Sequence, residues 1–445
     1  MSQLLSQKIT FRSVMKFTLP SVVMMVFMSL YTIVDGIFVA RFVNTDALSA
    51  INVVYPLFSL IAAIGIMFGT GGSAIIAKRM GEQKNREAKE DFTFIIIAGI
   101  FISMIMLAAG FVFLKPVIYF LGANSIIYEY CHQYAWMLLF FTPAAVLQML
   151  FQYLFVTAGK PRLGLLTTVG GGMANIVLDY VFIGLLQMGV EGAAIATGIG
   201  YCIPAVFGLF YFTIQRKEAL YFVKPKFRFR ILLRSSVNGM SEMVGNLAVG
   251  ITTYLFNIIM MEYLGQDGVA AITIVLYMDF LLLAINFGYA MGISPIISYN
   301  YGSENHENMK KIFRISSVFT IVLSIAIALG TFAFAGLLVG VFAERGSEVY
   351  KIAKAGMRIY AFSYLFKGYN VFSSALFTAL SNGIVSAILS FARTLLFLIV
   401  SVIGLTILFG VSGVWYAVPI AEFAALLLSV VYIYVYRKQY HYLAA

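Results

Sequence analysis

Long, almost uninterrupted apolar stretches dominate the chain, and short segments rich in charge, glycine and proline separate them. A helix needs about 20 apolar residues to cross the hydrocarbon core of a bilayer. Twelve stretches of that length or more fall near 14–40, 48–77, 92–114, 134–157, 163–186, 193–214, 236–261, 269–298, 315–342, 355–379, 384–408 and 414–436. The stretches are continuous and do not alternate between apolar and polar residues. They therefore predict an all-α membrane protein and not a membrane barrel.

The two halves of the chain resemble each other at one constant offset in sequence, called the repeat offset below. It aligns Gly71 with Gly292, Gly81 with Gly302, and 189–192 with 410–413. Six spans per half is an even number, so both halves enter the membrane from the same side. This pattern predicts two six-helix bundles related by a pseudo-two-fold axis along the membrane normal, with binding sites near their interface. The expected division is an N-lobe at 1–214, a basic linker at 215–235 and a C-lobe at 236–445.

The distribution of basic residues predicts the orientation. Of the 445 residues 61% are hydrophobic and 11% are charged, well outside the composition of a soluble domain. Most of the 30 Lys and Arg fall in loops that share one side if the N-terminus is inside, above all in 78–91 and 215–235. Both termini are therefore expected in the cytoplasm. Because these bases set orientation, the net charge of +11 does not indicate a nucleic-acid partner.

The chemistry of most enzyme classes is missing from the sequence. The two cysteines do not form a disulfide framework, and the three histidines stand in no metal-ligand spacing. The chain also lacks the glycine-rich loop that ends in Lys followed by Ser or Thr and binds ATP phosphates. We expect neither an enzyme nor a resident cofactor.

Ionisable residues within the predicted spans mark the candidate site. Each costs at least about 2.5–3.5 kcal/mol at the bilayer centre, so it indicates a polar pathway. Beyond the first few residues of each span seven such residues occur, namely Asp35, Asp179, Glu242, Asp279, Lys367, Arg393 and Glu422.

Four oxygen-bearing side chains in the first half are expected at similar depth, near the outer side. Asp35 lies late in the first span, Asn175 and Asp179 share one face of the fifth, and Thr197 lies early in the sixth. Hard oxygen ligands suit a small cation such as Na⁺, and a carboxylate pair suits a proton. Two alternatives remain open. One of the acids could pair with a buried base, although both such bases lie in the other half, and Thr197 could bond its own backbone.

Four sequence motifs resemble a known transporter family. They are 31–39 around Asp35, the run from Asn175 to Asp179, the segment 192–197, and 297–302 after the eighth span. These motifs resemble the MATE family of multidrug and toxic-compound extrusion transporters, and the likeness is greatest to its MepA-like bacterial branch. The resemblance extends over essentially the whole chain.

The resemblance implies two bundles forming a V around a central cavity, and antiport of amphipathic, often cationic, organic molecules against Na⁺ or H⁺. It carries Asp35, Asn175, Asp179 and Thr197 over as the N-lobe cation site. It also implies a monomer in the bacterial plasma membrane, with multidrug efflux and antibiotic resistance as its role. Pro20 falls inside the first span and predicts a bend, either static or changing during the cycle.

Substrate contacts are expected from aromatic, amide, thioether and acidic side chains around the cavity. The candidates are Tyr31, Gln148, Gln152, Met173, Glu242, Asp279, Tyr369 and Asn370. In the second half, the repeat offset aligns Asp179 with Val400, next to Ser401, and Tyr369 and Asn370 stand where some relatives carry an acid. A second coupling site there is therefore in doubt. Two of Asp279, Lys367 and Arg393 are expected to pair, as an internal salt bridge or at the cavity.

A second transport class also fits the overall pattern. A flippase of lipids or lipid-linked oligosaccharides, from the same superfamily, would have a larger and more basic groove. The distinctive polar residues of the first half are acidic, which favours the antiporter. The sequence leaves open the choice between Na⁺ and H⁺, the substrate range and the stoichiometry.

Overall fold

The computed structural model describes residues 8–43, 45–125 and 127–443, and every regular element in them is helical. The α-helices are α1 (Phe11–Phe42), α2 (Thr45–Gly81), α3 (Asn85–Phe120), α4 (Tyr128–Leu139), α5 (Thr142–Thr157), α6 (Pro161–Asp179), α7 (Gly189–Ile214), α8 (Phe229–Gly302), α9 (His306–Val339), α10 (Glu348–Tyr360), α11 (Tyr364–Ala379), α12 (Gly383–Phe391), α13 (Leu398–Phe409) and α14 (Val411–Tyr440). Two π-helical segments (Tyr180–Leu185 and Ala392–Phe397) and a 3₁₀ turn (Ala361–Ser363) join some of them.

These helices form twelve spans, as the apolar pattern predicts. Two spans run through α8, because Gly265 breaks it with φ 62° and ψ −149°. The fourth span is the α4–α5 pair, bent by 59°. α10 and α11 form the tenth span across the 3₁₀ turn. The first π-helical segment extends the fifth span, and the second joins α12 to α13 within the eleventh. α1 continues through Pro20 as one helix.

Polar caps set several helix starts. Thr10 and Ser13 form a capping box before α1, since the Thr10 side chain accepts from the Ser13 amide. The side chains of Asn305, Ser347 and Asn382 cap α9, α10 and α12, because each accepts a hydrogen bond from the backbone amide three residues later. These residues separate consecutive apolar runs, so the sequence itself fixes where the spans begin.

Irregular backbone positions recur at the repeat offset. Gly189 and Gly410 have φ of 61° and 59°, and Gln83 and Glu304 have φ of 60° and 55°. The break between α4 and α5 at 140–141 also corresponds to the start of the 3₁₀ turn at Ala361. The two halves therefore share turns and bends as well as sequence.

Close backbone contacts between the halves are reciprocal. A Cβ on Gly81 would lie 2.0 Å from the Tyr299 carbonyl oxygen, and a Cβ on Gly302 would lie 2.1 Å from the Lys78 oxygen. Lys78 and Tyr299 are themselves related by the repeat offset. The same exchange relates Gly71, which meets Ser235 and Gly239, to Gly292, which meets Thr18. Such mutual contacts are the signature of a two-fold relation between the bundles.

The segment between the halves is shorter than expected and is packed against the first half. α8 begins at Phe229, inside the predicted linker of 215–235. Just before it, Arg228 contacts Glu87 at 3.4 Å and Glu90 at 3.2 Å. Arg79 joins the same cluster by reaching Asp91 at 2.8 Å. The terminal residues 1–7 and 444–445 of the two predicted lobes lie outside the described chain.

Candidate functional site

Asp35 and Asp179 meet inside the first half. Their carboxyl groups lie close enough to interact directly, although the two residues belong to the first and fifth spans. Asp179 is fully buried. Among the described side chains, no Lys or Arg forms an ion pair with either carboxyl group. Two acids are thus held together in an apolar bundle without a basic partner.

Glycines and a change of helix type bring these acids into position. A Cβ on Gly171 would lie 2.5 Å from the Gly200 carbonyl oxygen, so α6 and α7 approach to backbone contact. Asn175 lies one turn after Gly171, and Thr197 lies one turn before Gly200. Beyond Asp179 the α-helix gives way to the π-helical segment Tyr180–Leu185. Such wide turns are frequent at functional sites.

A small cavity of about 10 Å³, room for about one water molecule, lies beside the acids. Tyr31, Gln148, Asn175 and Thr197 contribute to its wall. Asn175 Nδ2 donates to Thr197 Oγ1 at 3.4 Å. The Tyr31 hydroxyl lies within hydrogen-bonding range of Gln148, and its carboxylate neighbour is Asp35. The four residues predicted as a cation site and two of the predicted substrate contacts are therefore gathered in one place.

Several oxygens around this cavity are buried and lack a hydrogen-bond partner in the described part of the chain. They are Asp35 Oδ1, both carboxyl oxygens of Asp179, Asn175 Oδ1, Gln148 Oε1 and Thr168 Oγ1. Buried polar atoms are normally satisfied, and each exception indicates a missing ligand or a functional role. All but the Thr168 hydroxyl, which can also donate, are acceptors here. The set therefore favours a proton or a cation.

Three residues near the acids were not among the predicted site residues. Thr168 lines the cavity, and Tyr201 lines it beside Thr197. The Tyr134 hydroxyl lies near both carboxyl groups and within hydrogen-bonding range of Thr197. Helical spacing was the available signal for two of them. Thr168 lies two turns before Asn175, and Tyr201 lies one turn after Thr197, so each shares a helix face with a predicted residue.

Two predicted substrate residues of the first half lie outside this cavity. Gln152, one turn after Gln148, donates from Nε2 to Met28 Sδ at 3.1 Å. Met173 is 49% exposed on α6, on the face that also exposes Val177. The structure therefore does not join Met173 to the buried acids.

Asp279 and Glu422, two acids within the spans of the second half, each have a base. Lys367 Nζ donates to Asp279 Oδ1 at 2.6 Å and to the Tyr360 hydroxyl at 3.0 Å. Arg393, in the second π-helical segment, donates from Nε to both Glu422 oxygens at 3.0 and 3.1 Å. The expected pairing between Asp279 and one of the two bases is therefore present, and Glu422 supplies a second pair.

The remaining predicted residues surround these pairs. Asn370 is buried and donates from Nδ2 to the Glu422 carboxylate at 2.8 Å. Glu242 lies within electrostatic range of Arg393 and of Tyr153 from the first half. The Tyr369 ring packs against the Phe372 ring, with 6.2 Å between the ring centres. In this conformation the Asn370 and Asp279 side chains are hydrogen-bonded to other side chains of the protein. The two acids of the first-half site have no such base in the described chain.

The first-half site can bind a small monovalent cation by its own chemistry. The Asp35 and Asp179 carboxylates lie close together, and two like charges so placed favour uptake of a proton or another cation. The neutral oxygens of Asn175, Thr168 and Gln148 add ligands of the type that a hard cation prefers. Over the described residues no group of three His, Cys, Asp or Glu side chains converges, so the site does not resemble a transition-metal centre.

The chain is similar to known membrane transporters throughout its length. The sequence profile of the MatE family matches residues 20–181 and 243–403. Multidrug export protein MepA of Staphylococcus haemolyticus (strain JCSC1435) is 24% identical over 433 residues, which cover 96% of this chain and 94% of that protein. MepA of Staphylococcus aureus (strain MRSA252) is 22% identical over 430 residues, with the same coverage.

Solved structures share the fold. An outward-facing multidrug resistance MATE family transporter of the MOP superfamily superposes with a TM-score of 0.92 at 21% identity, covering 98% of each chain. A MOP superfamily transporter from Pyrococcus furiosus, described as having a binding pocket of reversed polarity that suggests a different function, gives 0.90 at 22% identity, also over 98% of each chain. The twelve-helix, two-bundle architecture is therefore common to these proteins.

Proposed function

The chain belongs to the MatE family, and we propose that it is a secondary antiporter that exports amphipathic, often cationic, organic compounds in exchange for Na⁺ or H⁺. Membership of this family makes it a multi-pass membrane transporter and not an enzyme. The MepA relatives are multidrug exporters by name, which supports a broad range of organic substrates.

The observation that carries the proposal is the pair of Asp35 and Asp179. The two carboxyl groups interact, their buried oxygens lack protein partners in the described chain, and no described base neutralises them. Burying such a pair is costly unless a cation joins it. A site that must gain and lose a cation is what an ion-coupled transporter requires.

Coupling follows from the position of the pair between helices. Asp35 belongs to α1, whereas Asn175 and Asp179 belong to α6. A bound cation offsets the repulsion between the two acids and draws α1 towards α6 and α7, and its release restores the repulsion. The arrangement of α1 within the N-lobe therefore depends on occupancy. This dependence is the differential interaction that a coupling ion must have with two conformations.

Alternating access is proposed to occur by rocking of the lobe at 1–214 against the lobe at 236–445 about their reciprocal contacts. Tyr31 is proposed to link the cation site to the substrate site, because its hydroxyl lies near the predicted substrate contact Gln148 and near the Asp35 carboxylate. An aromatic face and an acid together suit a lipophilic cation. The coupling cation and the drug would then compete for the charge of the same aspartate at opposite stages of the cycle.

The same fold carries other functions, so the polarity of the pocket has to decide between them. The neighbour from Pyrococcus furiosus shares the architecture but is described as having a pocket of reversed polarity. In the present chain the charged residues beside the first cavity, Asp35 and Asp179, are acidic and have no ion pair among the described side chains. This sign supports an organic cation over the anionic headgroup that a lipid flippase would move.

The decisive experiment is ethidium uptake by inverted membrane vesicles under a Na⁺ gradient or a pH gradient, each imposed separately. We expect uptake to respond to one gradient, and to require Asp35 and Asp179. Uptake that follows neither gradient contradicts antiport. Movement of a fluorescent anionic lipid across the vesicle membrane, with no ethidium transport, would favour the flippase.

We further propose that the chain lies in the bacterial plasma membrane with both termini in the cytoplasm, and acts as a monomer because one chain contains both lobes. Single cysteines at exposed Lys310 and Lys351 test the orientation. In intact cells a membrane-impermeant maleimide should label position 351 and not position 310. The opposite pattern would invert the topology.

A further inference from the structure

A second cavity, of about 200 Å³, lies at the end of the spans that is expected to face the cytoplasm. Asn85 and Lys89 of α3, the chain from Arg216 to Tyr221, and Tyr299 at the end of α8 form most of its wall. It shares no lining residue with the first cavity, and neither Asp35 nor Asp179 lines it.

The cavity is strongly basic. Lys89, Arg216 and Lys217 line it, and among the described side chains none of these three forms an ion pair. The single acid in the wall, Glu218, is bonded by Lys160 at 2.8 Å. This hydrogen bond raises the pKa of the Lys160 ammonium group, so Lys160 stays positive. Its charge cancels that of Glu218, and the pair adds no net charge to the cavity. Three positive charges therefore remain without a counter-charge around one cavity.

Part of this wall is held in place. The Lys89 ammonium group stands 4.0 Å from the centre of the Tyr221 ring, in a cation–π contact. The Val223 amide donates to Thr93 Oγ1 at 3.1 Å, which fixes the chain after Tyr221 against α3. Tyr299 and Met80 add an apolar side. The cavity thus combines fixed positive charge with an apolar surface.

The helix that leads to the cavity has a membrane-facing apolar stripe. Val206, Phe210 and Ile214 of α7 are 62%, 64% and 54% exposed and follow one another at intervals of one turn, on one helix face. The stripe ends directly before Arg216 and Lys217. An acyl chain lying along this stripe would bring its headgroup to the basic residues.

We propose that this cavity binds the phosphate-bearing headgroup of an anionic phospholipid of the cytoplasmic leaflet. Basic pockets between spans on that side suit such headgroups, because charge attraction and the lipid surface act together. The wall joins the first half through Lys89, the connecting segment through Tyr221, and the second half through Tyr299. A bound headgroup therefore stabilises the present arrangement of the halves and acts as a regulator of the cycle.

The test compares two double variants with the same loss of charge. Lys89→Gln with Lys217→Gln removes two cavity bases, and Lys310→Gln with Lys438→Gln removes two exposed bases elsewhere on the same side. Phosphatidylglycerol and phosphatidylcholine binding to the full-length purified protein is measured by native mass spectrometry. Melting temperature in detergent confirms that both variants fold.

We expect the cavity variant to lose phosphatidylglycerol affinity by about 30-fold, since each base near a membrane surface contributes about 1 kcal/mol. The control variant and all phosphatidylcholine binding should change less than about threefold. Equal loss in both variants, or no loss in either, overturns the proposal. Displacement of the lipid by millimolar inorganic phosphate would instead identify a free phosphate anion as the ligand, which also overturns it.

Discussion

Lys367 donates a hydrogen bond of 2.6 Å to Asp279 from a different span, and its side chain is only 4% exposed. The ammonium group also stands 4.5 Å from the Tyr360 ring and 5.2 Å from the Tyr364 ring. A fixed cation thus holds the Asp279 carboxylate in the second half. In the first half, Asp35 and Asp179 have no such base in the described chain, and this asymmetry favours ion coupling in the N-lobe.

Breaking the Lys367–Asp279 pair should destabilise the protein. Lys367→Met leaves the partly buried Asp279 carboxylate without its base, a change that costs about 3–5 kcal/mol in fully buried pairs and somewhat less here. Adding Asp279→Leu removes that charge and should restore most of the melting temperature lost by the single variant. Thermal unfolding in detergent measures both. If the double variant is less stable than Lys367→Met, the pair is not the main stabilising contact of Asp279.

Loss of either acid of the first half should uncouple transport. Asp35→Asn or Asp179→Asn removes the charge that attracts the cation, so uptake driven by a tenfold ion gradient, worth about 1.4 kcal/mol, should fall to the rate without a gradient. Asp267→Asn, at an exposed position between the spans of α8, is the matched control. Initial ethidium uptake in inverted vesicles is the measurement. Full gradient-driven uptake by Asp35→Asn would remove that residue from the mechanism.

Alanine should be tolerated at some glycines and not at those between the halves. A Cβ at Gly71 would lie 1.9 Å from the Ser235 carbonyl oxygen, so Gly71→Ala forces α2 and α8 apart at a cost of about 1–3 kcal/mol or more. Gly330 has no atom within 4 Å of its Cβ position, and Gly330→Ala should stabilise α9 by up to about 1 kcal/mol. Shifts in melting temperature of opposite sign are expected. Equal melting temperatures would show that the contact is not tight in the membrane.

The ion pairs of Arg228 should hold the connecting segment against α3. Arg228→Gln leaves the buried Glu90 carboxylate with fewer partners, and a local loss of about 1.4 kcal/mol would raise chymotrypsin cleavage near Phe227 by tenfold. Arg230→Gln, at an exposed site with no ion pair in the described chain, is the control. Fragments on a gel give the initial rates. Similar rates for both variants would assign the packing of this segment to its apolar contacts alone.

The span pattern and the repeat could be predicted from the sequence, because hydrocarbon imposes a simple rule on length and polarity. All twelve spans are present, and the repeat offset reappears in backbone angles such as those of Gly189 and Gly410. The start of α8 at Phe229 was missed. The segment 229–235 carries Arg230 and Arg234, and these made a helical end look like a loop.

The site was only partly predictable. Spacing within one helix placed Asn175 and Asp179 on one face, and the same rule would have added Thr168. No rule of spacing brings Tyr134 beside Thr197, or Lys367 beside Asp279, because such contacts depend on how distant helices pack. The hydrogen bonds of Asn370 likewise depend on Glu422 and Ser429 of a distant helix and not on its own sequence context.

The glycine contacts between the bundles bear on the origin of the molecule. Gly81 touches Tyr299 while Gly302 touches Lys78, so each half carries both surfaces of the joint. A polypeptide of half the length would already be self-complementary, and two copies of it could assemble as a symmetric dimer. Fusion of the two copies would then have freed each to diverge, leaving one with two acids that lack a described base and the other with acids held by internal bases.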